Sequence, residues 1–258
     1  MRILHVNLFD CQGGAAQVAQ TLMNGMAARG HDVHIFAHHK TGNDPRVIAL
    51  PFPDRQWQKD LLAKQRRQGL MDLYSAALLN VLEHPLFEQA DILHLHCINQ
   101  GYFSYLLMPF LAVKPLVWTL HDPLAFTAGC LNTDFCDGWK TRSCSNCPLD
   151  RRNGGRPRQL LQNIKSGLYK LTDFTVVCPS AWLEKQARES ILPNRDIRLI
   201  YNGIDTDLFK PGERTELRSK LNLPGDKNII MFAAHGGFNA PLIKGRRQAC
   251  RRAAGPAP

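Results

Sequence analysis

The chain has 258 residues, is 44% hydrophobic and carries a formal net charge of +10 at pH 7. This length and apolar content allow one large core or two smaller ones, which excludes a disordered or fibrous protein. The amino-terminal apolar run is too short for a signal peptide, and no segment approaches the ~18 uninterrupted apolar residues of a membrane span. We therefore expect a cytoplasmic protein, in which the eight cysteines are thiols or metal ligands rather than a disulfide framework.

Strand and helix patterns alternate along the chain. The apolar, β-favouring runs predict strands over 3–8, 33–36, 47–50, 91–96, 113–120, 174–178 and 197–201. Apolar residues at helical spacing predict helices over 15–29, 59–82, 102–111, 159–171 and 181–188, the first ended by Gly30. This alternation predicts the α/β class, with a doubly wound, mostly parallel, Rossmann-like sheet covered by helices on both faces.

Gly13 and Gly14 lie between the first predicted strand and the first predicted helix. Glycines at this turn let the backbone approach a ligand, and the free N–H groups of a helix amino terminus attract an anion. A tight turn alone would also require them. The spacing is not GxGxxG, so a nicotinamide enzyme is not indicated.

His121 and Asp122 directly follow the strand predicted over 113–120. Open α/β sheets bind their ligands beyond the carboxyl ends of the strands. The pair could supply a hydrogen bond, a charge or a proton there. The alternative is a histidine that only stabilises the end of a strand.

The segment 140–170 holds eight basic residues and one acidic residue. Such an excess predicts binding of phosphates or anionic lipid head groups, or else a solvated basic loop. No helix-turn-helix, zinc-finger or RNA-binding aromatic signature accompanies it, so we expect no nucleic-acid partner.

Four cysteines follow the His-Asp pair with the spacing C-x5-C-x7-C-x2-C: Cys130, Cys136, Cys144 and Cys147. Thiolates bind zinc tetrahedrally, and a CxxC pair is a common half of such a site. A structural zinc would also anchor this long loop in a reducing compartment. Reduced thiols and a labile disulfide are the alternatives.

The helix start at 55–68 carries Trp57 among basic residues. This pattern suits docking to an anionic membrane face. The favoured interpretation is an ordinary surface helix whose apolar side packs on the sheet.

Several motifs occur in an order and spacing that resemble one family. They are the glycine turn, Asp91–His96 with Asn99–Gly101, Thr119–Asp122 followed by Phe126–Cys130, Pro179–Leu183, Ile200–Asp205 and Leu208–Pro211. Together they are similar to the amino-terminal domain of the GT-B glycosyltransferases of the retaining family 4, especially those that assemble bacterial capsule and exopolysaccharide.

The resemblance implies transfer of a sugar from a nucleotide-sugar donor to a growing, lipid-diphosphate-linked saccharide, without a catalytic cofactor and in peripheral contact with the anionic inner membrane. It places Gly13 and Gly14 beside the donor diphosphate and the acceptor. His121, with Asp122 as its catalytic neighbour, would lie against the donor sugar. Asn202 joins the binding set, and Lys244 resembles the lysine that binds the nucleotide diphosphate.

The resemblance also implies the domain organisation. Residues 1–210 would form the acceptor-side domain, 211–245 the linker and the start of a donor-binding domain with a strand over 227–233, and 246–258 an aberrant basic tail. Family members continue with a second domain, and its paired glutamates have no counterpart here. We therefore expect a truncated, inactive enzyme. A non-catalytic, basic, zinc-stapled binding module is the alternative, with the tail as a short basic binding segment.

Overall fold

The computed structural model describes residues 1–50, 56–99, 101–131, 133–134, 136–141, 144, 156–192 and 194–231. The chain divides into two compact units, Met1–Gly203 and Ile204–Pro258. The domain boundaries expected from the resemblance stay a prediction.

The first unit is built on one seven-stranded sheet in which every neighbouring pair of strands is parallel. The strands are β1 Arg2–Phe9, β2 Asp32–His39, β3 Val47–Ala49, β4 Ile92–Leu95, β5 Leu116–Thr119, β6 Thr175–Cys178 and β7 Asp196–Leu199. Their order across the sheet is β3-β2-β1-β4-β5-β6-β7. The predicted doubly wound parallel sheet is confirmed, and its topological switch point lies between β1 and β4.

Helices connect the strands. In the first unit they are α1 Gly14–Ala27, α2 Gln56–Arg67, α3 Leu79–Leu82, α4 Pro85–Gln89, α5 Met108–Leu111, α6 Gly138–Thr141, α7 Arg156–Lys170 and α8 Ala181–Arg188. Short 3₁₀ turns cover Ala76–Leu78, Tyr105–Leu107 and Pro123–Ala125. No helix in these described segments is both long and apolar enough to cross a bilayer.

The sheet buries apolar side chains on both faces. On one face Leu95 and Trp118 belong to a large core that also includes Tyr169 of α7 and Leu183 of α8. On the other face a smaller cluster contains Ile3 and Ile35 of the strands together with Ala19 and Met23 of α1. Burial on two faces explains why the strands read as continuous apolar runs instead of alternating ones.

The helix predicted over 59–82 is interrupted over 68–75 and resumes with the 3₁₀ turn Ala76–Leu78 and α3. Helix α2 ends at Arg67 because the chain turns at Gly69, whose φ of 68° suits the left-handed end of a helix. Asp72 is also left-handed, with φ 59°, and its carboxylate accepts the N–H of Gly101. Similarly, the helix predicted from Tyr102 begins only with the 3₁₀ turn at 105.

The predicted buried face of α7 is displaced by one residue. Leu160 and Leu171, expected inside, are 50% and 74% exposed. The buried positions include Leu161, Lys165 and Tyr169, together with the polar Gln162 and Ser166. Lys165 faces inward because its ammonium group donates to backbone carbonyls, so it does not belong to the exposed basic segment.

The described part of the second unit contains α9, Arg214–Lys220. The strand predicted over 227–233 is absent from its described part, 227–231, which has no regular structure. The remaining two residues of that prediction lie outside the described residues.

Candidate functional site

The candidate site lies where β1, β4 and β5 end. These three strands are neighbours at the centre of the sheet, so their carboxyl ends meet at one edge beside the switch point. Ligands of open α/β sheets bind at such a crevice. The glycine turn follows β1, Asn99 follows β4, and His121 follows β5.

The glycine turn opens α1 without a side-chain cap. Gly13 has φ 83° and ψ 169°, a conformation that is essentially restricted to glycine. Both Gly13 and Gly14 are exposed, and a Cβ added at either one would meet no atom within 4 Å. The first N–H groups of this 14-residue helix are therefore accessible to an anionic group, and the binding role of Gly13 and Gly14 stays a prediction.

Asp10 holds the start of this turn in place. Its buried carboxylate accepts the backbone N–H groups of Cys11 at 2.9 Å, Thr41 at 2.9 Å and Gly42 at 2.6 Å. Burial alone would raise the pKa of Asp10, but the N–H donors of Gly42 and Thr41 outweigh it and lower the pKa to about 2. The ionised carboxylate thus ties the end of β1 to the loop after β2.

His121 lines a narrow pocket of about 10 Å³ together with Asn99, Tyr105 and Asp122. Its Nε2 atom is 3.1 Å from Nδ1 of His96. Burial lowers the pKa of His121 to about 4, so the ring is neutral at pH 7. A neutral imidazole offers one donor and one acceptor, which suits orientation of a hydroxyl group.

Asp122 shapes the loop that follows. One carboxylate oxygen accepts the N–H of Leu124 at 2.8 Å, and the other accepts the side-chain amide of Asn99 at 3.1 Å. Burial raises the pKa of Asp122, and the bonds from Leu124 and Asn99 and the charge of Lys165 oppose this shift. These contacts are those of a capping residue, and the catalytic role of Asp122 stays a prediction.

Lys165 supports the same loop from beneath. Its Nζ atom lies 2.6 Å from the carbonyl oxygen of Leu124 and 3.1 Å from that of Thr127. It also lies 4.1 Å from the centre of the Tyr105 ring. Burial lowers the pKa of Lys165 to about 7, against the opposing charges of Asp72 and Asp122.

The sequence reasoning did not single out His5, His94 and His96 as site residues. Their ligand atoms lie within 4.8 Å of one another, and all three side chains are buried. The alternate spacing of His94, in β4, and His96, directly after it, places both on one face of the sheet, and His5 lies opposite His94 in the register with β1. The alternation was visible in the sequence, whereas the pairing of β1 with β4 was not.

The remaining predicted site residues lie elsewhere. Asn202 is exposed, near the end of the first unit, and Lys244 lies outside the described residues. Cys130 and Cys144 are partly buried and Cys136 is exposed, while Cys147 also lies outside the described residues. Over the described part of the chain, only the three histidines form a group of at least three potential metal ligands. The four-cysteine zinc site stays a prediction.

Fold and site together define an α/β protein with a candidate ligand site at its switch point, which consists of an open helix amino terminus, a neutral histidine and a capped loop. Residues 12–208 match the model of Glycosyltransferase Family 4. The chain belongs to this family, which confirms the resemblance seen in the motifs.

Three curated relatives illustrate the similarity. The putative colanic acid biosynthesis glycosyl transferase WcaC of Escherichia coli K12 is 28% identical over 57% of this chain and 40% of its own length. A D-inositol 3-phosphate glycosyltransferase of Mycobacterium leprae is 26% identical over 86% of this chain and 48% of its own. The N-acetyl-alpha-D-glucosaminyl L-malate synthase of Bacillus anthracis is 22% identical over 89% and 52%. The chain thus spans about half the length of these relatives.

Solved structures are similar at lower identity. Anabaena HepE, crystallised with UDP-glucose, gives a TM-score of 0.48 at 14% identity over 85% of this chain and 49% of its own. WaaG, a glycosyltransferase of lipopolysaccharide biosynthesis, gives 0.48 at 15% identity over 88% and 53%.

Proposed function

We propose that this chain supplies the acceptor-side half of a retaining glycosyltransferase. In this proposal a sugar passes from a nucleotide-sugar donor to a growing, lipid-diphosphate-linked saccharide of a bacterial surface polysaccharide. The observation that carries it is the neutral ring of His121 at the carboxyl edge of the sheet, within the stretch that matches the family. The similarity to a colanic acid biosynthesis enzyme supports the polysaccharide role.

Each site residue has a role that its contacts allow. His121 would orient sugar hydroxyl groups through a single hydrogen bond without adding charge. The N–H groups that follow Gly13 would face the diphosphate of the donor or of the acceptor lipid, because a helix amino terminus favours negative charge. Asp122, Asn99 and Lys165 would hold the loop behind the histidine.

We propose that most donor contacts belong to the part of the curated relatives that these residues do not match. Curated relatives of this family are longer, since the matched residues cover 40%, 48% and 52% of their length. A nucleotide sugar bound between an acceptor-side half and a donor-side half would then contact these residues on one side only. The short chain is expected to be inactive on its own, and Asn202 and Lys244 remain proposed contacts to the donor.

A peripheral contact with the inner membrane would bring the site to a lipid-linked acceptor. Trp57 at the start of α2 is 48% exposed, and the last turn of that helix carries Lys64, Arg66 and Arg67. An exposed indole beside basic side chains suits an anionic lipid surface. The buried side of α2 is polar, formed by Gln58 and Gln65, so the tryptophan is not held in the core.

The test joins this chain to the donor-side domain of a family relative. The joined protein and the chain alone are incubated with labelled nucleotide sugars and membranes that carry lipid-diphosphate saccharides. We expect transfer with retention of configuration from the joined protein only. Turnover by the chain alone would contradict the incomplete site, and acceptor binding without any transfer would favour the binding-module alternative.

In the joined protein, His121→Ala should lower the transfer rate by about 10² or more, as for a lost transition-state contact. His31→Ala, at a partly exposed histidine before β2, is the matched control and should leave the rate unchanged. Far-ultraviolet circular dichroism checks the fold of both variants. A wild-type rate in His121→Ala would remove His121 from the site.

A further inference from the structure

A row of three imidazole rings runs from β1 across β4 to the end of β5. Nδ1 of His5 lies 3.0 Å from Nε2 of His96, and Nδ1 of His96 lies 3.1 Å from Nε2 of His121. Both distances are those of N–H···N hydrogen bonds. The row therefore connects a fully buried ring to the ring that lines the pocket.

The three rings are neutral at pH 7. Burial lowers the pKa of His5 and His121 to about 4, and burial together with the neighbouring histidines lowers that of His96 well below its usual value. A neutral imidazole carries one N–H group and one bare nitrogen. In each of the two N···N contacts, one nitrogen must therefore carry a proton and donate it to the bare nitrogen of the other ring.

Only two proton arrangements satisfy both contacts. If His96 is protonated at Nε2, then His5 and His121 must also carry their protons at Nε2. If His96 is protonated at Nδ1, all three rings carry the proton at Nδ1. The tautomer of the ring at the pocket is thus coupled to that of a ring in the core.

The row ends in the core at His5, whose ring makes no further hydrogen bond there among the described residues. Nε2 of His5 is buried and has no hydrogen-bond partner among the described residues. An unpaired buried polar atom destabilises the folded state, so packing alone would favour an apolar side chain at this position. The open end is Nδ1 of His121, because His121 is the ring of the three that is not fully buried.

His94 packs against the row but makes no hydrogen bond within it. Its ring lies face to face with that of His96, with centroids 4.3 Å apart and planes at 29°, and its Nε2 atom is 2.8 Å from Oγ1 of Thr119. A metal ion would require in-plane nitrogen lone pairs that converge on one point, which stacked rings do not provide. The geometry therefore favours a hydrogen-bonded row over a three-histidine metal site.

We propose that His5 and His96 are positioning residues that hold His121 in one ring orientation and one neutral tautomer, with all three rings protonated at the same nitrogen. Nδ1 of His121 is then always a donor or always an acceptor toward its ligand. Only the consequence for sugar transfer rests on the proposed function. The shared tautomer is a property of the chain itself.

Nitrogen-15 NMR of the histidine side chains at pH 7 tests the row, because protonated and bare ring nitrogens have well-separated shifts. In the wild-type chain, His5, His96 and His121 should each show one tautomer, the same in all three. Different tautomers among the three rings, or a mixture in His121, would overturn the proposal without any variant.

The variant His96→Phe keeps a ring but removes both contacts, so His121 should become a mixture of tautomers. His96→Gln, which offers one donor and one acceptor, should restore a single form. His94→Phe, the matched control, keeps the stacked ring outside the row and should leave the His121 tautomer as in the wild type. An unchanged His121 spectrum in a folded His96→Phe protein would contradict the coupling.

In the joined enzyme, His96→Phe should lower the transfer rate about tenfold or more, as expected when a histidine loses the partner that fixes its tautomer. The two failures are distinguishable. A shared tautomer without any transfer would refute only the proposed function, whereas normal transfer with mixed tautomers would refute only the row.

Discussion

Acidification should destabilise the first unit because its buried histidines must become charged when it unfolds. Burial lowers the pKa of His5 from 6.5 to about 4. His5 therefore binds a proton below pH 6.5 in the unfolded chain, but only below about pH 4 in the folded chain. The contribution to stability is complete above pH 6.5 and is lost as the pH falls through this window.

The magnitude follows from the width of the window. Between pH 6.5 and pH 5, His5 is neutral in the folded state and protonated in the unfolded state. At about 1.4 kcal/mol per pH unit, this difference lowers the free energy of unfolding by about 2 kcal/mol. His94 and His96, whose pKa values are also lowered by burial, act in the same direction. The wild-type protein should therefore lose at least this amount.

Urea unfolding at pH 7 and pH 5, followed by tryptophan fluorescence, measures the effect, since Trp118 is buried in the core beside Tyr169 and Phe174. His5→Phe should be less stable at pH 7, because it leaves Nε2 of His96 without its partner. Its further loss between pH 7 and pH 5 should be about 2 kcal/mol smaller than that of the wild type. His31→Gln, outside the buried row, controls for removal of an imidazole. An equal acid-induced loss in His5→Phe and the wild type would refute the reasoning.

Three further predictions follow from other parts of the chain. Gly13→Ala should destabilise the protein by about 1–3 kcal/mol in urea unfolding, since alanine is strained at φ 83°, whereas Gly14→Ala, with open space and no positive φ, should be neutral or stabilising; wild-type stability in Gly13→Ala would contradict the left-handed turn. Elemental analysis should find about one zinc per chain, lost in a Cys144→Ser, Cys147→Ser double variant and kept in His94→Phe; less than a tenth of an equivalent would leave reduced thiols or a disulfide. The chain should bind phosphatidylglycerol vesicles better than phosphatidylcholine vesicles, and Trp57→Ser or Lys64→Gln should weaken this binding by about fivefold, on the order of 1 kcal/mol per basic residue. Phe110→Ser, which removes an aromatic side chain that is 59% exposed on α5, is the control, and equal binding to both vesicles would argue against the membrane contact.

The sequence by itself determined the fold class and the location of the glycine turn and the His121 loop. Strands buried on two faces must be apolar throughout, and the helices between them carry an apolar stripe, so the alternation is visible in one dimension. In a parallel sheet all carboxyl ends lie at one edge. Residues in the loops after predicted strands, such as Gly13 and His121, could therefore be assigned to the same edge.

Breaks in helices were harder to foresee. The apolar spacing over 59–82 continued through Gly69 and Asp72, and the turn there is fixed by tertiary contacts such as that of Asp72 with Gly101. The buried face of α7 was also missed, because Lys165 is charged in solution. Lys165 lies inside because its ammonium group donates hydrogen bonds to the carbonyl oxygens of Leu124 and Thr127, which are distant in sequence.

Only the tertiary structure decided which strands are neighbours. His5 and His96 are 91 residues apart, and His96 and His121 are 25 apart. Periodicity indicates which face of a strand a residue occupies, but it carries no information about the order of strands in the sheet. The order β1-β4-β5 is set by how the connecting helices pack on the two faces. That packing aligns the three rings, which local sequence could not do because hydrogen bonds between strands form only after the strands have paired.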